Sequence, residues 1–187
     1  MQHRHELAAL FDPASLALIV EPGAAPDWVE GLARQLGAAA LSVRRVVLGD
    51  VPEDPAGCDL ALVATGPARE ADALRTAAAL RARAAVVLSS RTTPERAAEL
   101  AAIARAARIR LLGPATMGFV RPARRLNAGR MVAVPPEGNV ALVSQSGVLN
   151  AAILDWAGDS TIGFSLAVSL GAEADVDVAQ VLDFLAS

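Results

Sequence analysis

Leu16-Ala17-Leu18-Ile19-Val20-Glu21-Pro22-Gly23-Ala24-Ala25-Pro26 opens on an unbroken apolar run and closes in a turn built on two prolines and one glycine. An apolar run without polar alternation marks a strand buried on both faces, as in parallel sheets covered by helices. Asp59-Leu60-Ala61-Leu62-Val63-Ala64-Thr65-Gly66-Pro67 repeats the pattern: strand, then a turn carrying glycine and proline. Working outward from these two, strands are predicted at 16–21, 41–48, 59–65, 84–89 and 109–112. Alanine-rich segments with helical periodicity lie between them, at 27–36, 68–81 and 94–107. Strands alternating with helices predict an α/β fold with one doubly wound, mainly parallel sheet.

Residues 113–138 read as a loop-rich connector, and Pro135-Pro136-Glu137-Gly138 punctuates its end. The pattern then restarts with a strand at 139–143, a helix at 147–157, a strand at 164–169 and a helix at 176–185. Two domains are expected, 1–128 and 129–187. Two βα units leave sheet edges open, so the second domain reads as cut short.

Composition excludes several function classes. The chain has 187 residues, 53% of them hydrophobic, enough for one full domain and part of another. No apolar run approaches the roughly 18 residues of a membrane span, and the opening Met1-Gln2-His3-Arg4-His5-Glu6 is not a secretory leader, so a cytoplasmic protein is expected. Cys58 is the single cysteine; it excludes an internal disulfide and is expected in a polar turn before a strand. A net charge of −3 without charge runs gives no reason to expect nucleic acid or an anionic membrane as partner. All 17 basic residues are arginine, which removes any Walker-type lysine, Schiff base or lysine general base. A phosphate must then be held by arginine, by backbone N–H groups or by helix N-termini. With no tyrosine and 3% aromatics, base-stacking platforms are not expected.

Ligands of open α/β sheets gather beyond the carboxyl ends of the strands, where the strand order switches. The loops at 21–26, 65–67, 89–93 and 113–118 are therefore the candidates. A dinucleotide fingerprint would place Gly-x-Gly-x-x-Gly in the first of them. Glu21-Pro22-Gly23-Ala24-Ala25-Pro26 lacks it: each proline removes an N–H donor and Glu21 repels phosphate, so an NAD-type reductase is disfavoured. Val143-Ser144-Gln145-Ser146-Gly147 is a strand turning sharply into a helix. By spacing alone it reads as an ordinary capped turn; the competing reading is an anion site at the helix N-terminus. Asp175 and Asp177 read as caps of the last helix, Trp28 and Trp156 as core or interface residues, and His3 and His5 as an N-terminal tail without a catalytic role.

Several segments resemble the NDP-forming acyl-CoA synthetases. They are Leu10-Phe11-Asp12-Pro13-Ala14-Ser15-Leu16-Ala17-Leu18-Ile19, Arg110-Leu111-Leu112-Gly113-Pro114, Leu126-Asn127-Ala128, Val140-Ala141-Leu142-Val143-Ser144-Gln145-Ser146-Gly147, Ala152-Ile153-Leu154-Asp155-Trp156-Ala157, Gly163-Phe164-Ser165 and Val168-Ser169-Leu170-Gly171-Ala172-Glu173-Ala174-Asp175-Val176-Asp177-Val178. Pat-type protein lysine acetyltransferases, which carry a synthetase-like region, open the same way. The resemblance implies a Rossmann-type CoA-binding domain followed by the start of a flavodoxin-like domain, as in the α subunit of succinyl-CoA synthetase.

It further implies CoA or acyl-CoA as cofactor, at Glu21, Pro22, Gly23, Thr65, Gly66, Pro67, Ser89, Ser90, Arg91, Gly113 and Pro114. It raises the anion reading of Ser144, Gln145, Ser146 and Gly147, which match the helix N-terminus that steadies the family's phosphohistidine. The family's catalytic histidine lies further along the flavodoxin-like domain, and its ATP-grasp portion is separate, so no catalytic or metal-binding residue is assigned and the chain alone should not catalyse ligation. Three departures bear on CoA: Glu21-Pro22-Gly23 stands for Gly-Ala-Ser, no basic Asn-Pro-Lys-like stretch follows Leu48-Gly49-Asp50, and Gly113-Pro114-Ala115-Thr116 stands for Gly-Pro-Asn-Cys. Arg44, Arg45, Arg69 or Arg91 are the candidates to compensate. The expected role is the CoA-binding portion of an acid–CoA ligase working with an ATP-grasp domain or subunit; the alternative is a regulatory or assembly module beside an acetyltransferase domain. Self-association to a homo-oligomer stays open.

Overall fold

The computed structural model describes residues 5–37, 39, 41–53, 55–131, 134–158 and 160–187; His3 lies outside them. In chain order the first unit runs α1 (Ala8–Phe11), β1 (Ser15–Val20), α2 (Asp27–Gly37), β2 (Ser42–Val47), β3 (Cys58–Ala64), α3 (Glu70–Ala79), β4 (Ala82–Val87), α4 (Pro94–Ala106) and β5 (Arg110–Leu112). Its five strands form one parallel sheet in the order β2-β1-β3-β4-β5. The chain winds outward from β1 to β2, then returns to β3 on the other side of β1, which makes the β1/β3 gap the switch point.

Strand alternation sorts the core. Leu16, Leu18, Val20, Leu60, Leu62 and Val86 face α1 and α2, while Ala17, Ile19, Ala61, Val63, Ala85 and Val87 face α3 and α4. Burial on both faces explains the unbroken apolar runs of β1, β3 and β4. The edge strand β2 differs: five of its six residues are exposed or half-buried, because it has one neighbour and carries Arg44 and Arg45. Cys58 is the buried first residue of β3 and not part of a turn; burial pushes its thiol pKa up, against a hydrogen bond and charge from Arg44.

The second unit comprises β6 (Gly118–Arg121), β7 (Leu126–Gly129), β8 (Glu137–Ser144), α5 (Gly147–Gly158), β9 (Phe164–Ser169) and α6 (Val178–Ala186). Its sheet runs β7-β6-β9-β8, with β8 and β9 parallel and β6 antiparallel to both of its neighbours. The expected connector therefore holds an antiparallel hairpin, closed by the single-turn helix Pro122–Arg124, that belongs to the second sheet. Leu166, Val168, Phe119 and Leu126 join the same core cluster as α1 and α2, so one apolar layer spans both sheets.

Polar links reinforce that layer. Arg110 Nε on β5 donates to Asp175 Oδ2 at 2.9 Å, and the Leu111 N–H donates to the same oxygen at 2.8 Å. Asp175 thus ties β5 to the second unit instead of capping α6. Asp177 alone caps that helix, in a reciprocal pair with Gln180. Among the described residues no helix is long and apolar enough to cross a membrane.

Candidate functional site

Parallel strands that stop in register leave their following loops side by side. Val20 pairs with Ala64, so Glu21 and Thr65 emerge together at the β1/β3 switch point, and β4 delivers Leu88, Ser89 and Ser90 beside them. These loops and the start of α2 enclose a cleft of about 400 Å³. That volume falls within the roughly 300–1,000 Å³ typical of small-molecule sites.

Of the residues assigned to the cofactor, Glu21, Pro22, Thr65, Gly66, Pro67, Ser89 and Ser90 line this cleft, whereas Gly23, Arg91, Gly113 and Pro114 do not. The Gly113-Pro114 turn instead supports the second unit: the Pro114 carbonyl accepts the Ala172 N–H at 2.9 Å. Thr116, the third departure, is buried and donates its hydroxyl to the Ser169 carbonyl, away from the cleft lining.

The electrostatics of the cleft rest on two side chains. Glu21 Oε1 accepts the Gly66 N–H at 2.5 Å, so the carboxylate bridges the first and second loops. Arg130 is the single cation among the described lining residues, and its guanidinium lies 4.7 Å from the centroid of the Trp28 ring. Arg44, Arg45, Arg69 and Arg91 do not line the cleft; Arg45 pairs with Glu30 at 2.8 Å and Arg69 with Asp72 at 3.7 Å. Arg130 escaped the sequence reading, and Trp28, expected as a core or interface residue, proves to line the cleft. Arg130 follows β7, and it reaches Trp28 because α2 packs on β7, a long-range contact with no local signal.

Beneath the rim lies a polar cluster. Thr65 Oγ1 is buried without a hydrogen-bond partner. Ser89 Oγ accepts the Ala115 N–H at 3.0 Å. Glu70, 1% exposed, has its Oε2 3.6 Å from Arg96 Nε and its Oε1 unpartnered. Burial raises the Glu70 carboxyl pKa, against the lowering influence of the nearby Ser89 hydroxyl and the charge of Arg96.

The 144–147 turn lies on the second unit. Its geometry is that of a capped helix start: the Leu149 N–H donates to Ser146 Oγ at 3.2 Å and the Ser146 N–H to Ser144 Oγ at 3.0 Å. Gln145 Nε2 donates to the Glu173 carboxylate. Gly147 has a packing reason, since a Cβ there would stand 2.1 Å from Met117 Cγ.

Comparison with known proteins places this geometry. Residues 37–122 match the family model of a CoA binding domain, and residues 137–187 match that of a succinyl-CoA ligase-like flavodoxin domain. The ADP-forming acetate–CoA ligase of Methanocaldococcus jannaschii is 40% identical over 82 residues, 44% of this chain and 12% of that protein. The α subunit of ADP-forming acetate–CoA ligase II of Pyrococcus furiosus is 40% identical over 88 residues, 47% of this chain and 19% of the subunit. A solved dinucleotide-forming acetyl-coenzyme A synthetase of Candidatus Korarchaeum cryptofilum, in complex with phosphate and ADP, superposes with a TM-score of 0.86 at 27% identity, covering 96% of this chain and 42% of that one. The chain therefore spans less than half of each of these relatives. In carrying a match to a CoA binding domain followed by one to a succinyl-CoA ligase-like flavodoxin domain, the chain is similar to the NDP-forming acyl-CoA synthetases.

Proposed function

We propose that this chain binds CoA or acyl-CoA in the β1/β3 cleft and serves as the CoA-binding portion of an acid–CoA ligase. The observation that carries the reading is the convergence of three strand-end loops on one cleft at the switch point of a CoA-binding domain. The residues fit the cofactor in part. The unpartnered Thr65 hydroxyl and the Arg130 guanidinium offer a donor and a positive charge, while Glu21 already holds the Gly66 N–H. Gly66, Pro67, Ser89 and Ser90 would shape the cleft around the ligand.

Ligation would be completed by an ATP-grasp portion, with Ser144, Gln145, Ser146 and Gly147 as a second anion position near the phosphoryl chemistry. That assignment rests on the family resemblance and on the helix start at Gly147. A cytoplasmic setting belongs to the same reading. The relatives named above are acid–CoA ligases, and no observation favours the acetyltransferase-linked alternative.

Calorimetric titration of the purified chain with CoA and acetyl-CoA, with NADH as control, tests the proposal. We expect saturable heat from CoA and none from NADH, with a Kd above roughly 10 μM (about −7 kcal/mol or weaker). Absence of saturable CoA binding would overturn it.

A further inference from the structure

We infer that Glu21 is the specificity-determining residue of this cleft: its carboxylate occupies the backbone position a ligand phosphate would take, so phosphate-bearing ligands bind only by displacing it or by shifting toward Arg130. The inference rests on the CoA reading above and concerns the same cleft.

Gly66 is the residue immediately before the single-turn helix Pro67–Arg69, which runs directly into α3. The N–H groups at such a start have no partner within the helix, and they are where α/β proteins hold phosphate. The first of these N–H groups, that of Gly66, is already bonded to Glu21 Oε1 at 2.5 Å. A carboxylate there is favoured by the same dipole and by a charge-assisted hydrogen bond that would favour a phosphate. Gly66 also makes room for it: a Cβ at this position would stand 3.2 Å from Glu21 Oε1. The β1/β3 register fixes the placement, because Glu21 and Thr65 follow the paired residues Val20 and Ala64.

A second, independent observation marks the same spot as a ligand position. Thr65, next to Gly66, is 7% exposed, lines the cleft, and its Oγ1 has no hydrogen-bond partner. A buried hydroxyl left unpaired costs free energy until something in the cleft bonds to it. Among the described lining residues the one counter-charge is Arg130, held on Trp28. The cleft therefore carries a fixed anion at its helix-start end and a fixed cation at Trp28, an arrangement that sorts ligands by where their phosphates lie.

Titration of wild type, Glu21→Ala, Glu21→Gln and Arg130→Ala with CoA and with pantetheine, which lacks phosphate, tests this, with thermal melts confirming that each variant folds. Glu21→Ala frees the N–H and removes the charge, so CoA should bind about tenfold tighter, the worth of one charge-assisted hydrogen bond. Glu21→Gln keeps an acceptor for Gly66 without the charge and should fall between the two. Arg130→Ala should weaken CoA by about tenfold. Pantetheine should respond to none of them. A CoA affinity unchanged or lowered in Glu21→Ala, or an equal gain for pantetheine, would overturn the inference while leaving CoA binding intact. Failure of every variant to bind CoA would overturn both.

Discussion

Glu70 shows at the scale of one residue what it costs to bury a charge beneath a cleft. Its carboxyl is almost fully enclosed, one oxygen lacks a partner, and the nearest arginine nitrogen stands at 3.6 Å, too far for a good hydrogen bond. Burial holds its pKa above the ordinary carboxylate range, so the folded state keeps the proton to higher pH than the unfolded chain. The stability this contributes is complete in acid and is lost as pH rises through the folded pKa. Glu70→Gln should therefore raise Tm at pH 7.5, and its advantage should shrink toward pH 4. A Tm difference that is the same at both pH values would show that ionisation of Glu70 does not limit stability. Sequence could not expose this residue, since Glu70 reads as an ordinary helix-start carboxylate; only the packing of α3 against α4, which brings Arg96 up to it, makes it a buried charge. Glu21 is the opposite case: its identity and its place after β1 were legible, and the structure adds the N–H it captures.

At the scale of elements, local chemistry was legible wherever it was complete in itself. The parallel strands announce themselves by unbroken apolar runs, and β9 and the start of α5 fall where the sequence reading put them. The last helix is fixed by a capping box: Asp177 Oδ1 accepts the Gln180 N–H at 2.9 Å, and Gln180 Oε1 accepts the Asp177 N–H at 3.1 Å. Asp177→Ala should lower stability by about 1 kcal/mol, seen as a Tm drop of roughly 2–4 °C in a chain of this size. A Tm within error of wild type would mean that docking of α6, not its cap, holds the helix. The strands β6 and β7 were not legible. Each is four residues long, and proline and arginine between them signal a loop. Their place in the sheet depends on the pairing of β6 with β9, about 50 residues onward (Phe119 opposite Val168), and no local pattern carries such a partner.

For the whole molecule, those two strands change how the halves relate. The sequence suggests a boundary between residues 128 and 129, whereas sheet membership changes between Leu112 and Gly118, and we propose the boundary lies there. The apolar layer from Leu16 and Phe11 to Phe119 and Val168 crosses that boundary, as do the Arg110–Asp175 and Arg121–Asp12 ion pairs. A core shared in this way predicts one cooperative transition rather than two. The tryptophans make the prediction readable. With no tyrosine in the chain, emission excited at the red edge of the absorption band comes from two indoles alone, one in each unit: Trp28 beneath the Arg130 guanidinium at the cleft, and Trp156, 63% exposed, on α5. Trp156→Phe and Trp28→Phe would each leave a single emitter, and their denaturation midpoints should coincide; separate midpoints would mean the units melt independently. The stacked pair at the cleft has one more consequence: in Trp156→Phe the protein becomes its own optical sensor, because any molecule that draws Arg130 off the indole changes the colour and brightness of the light it emits.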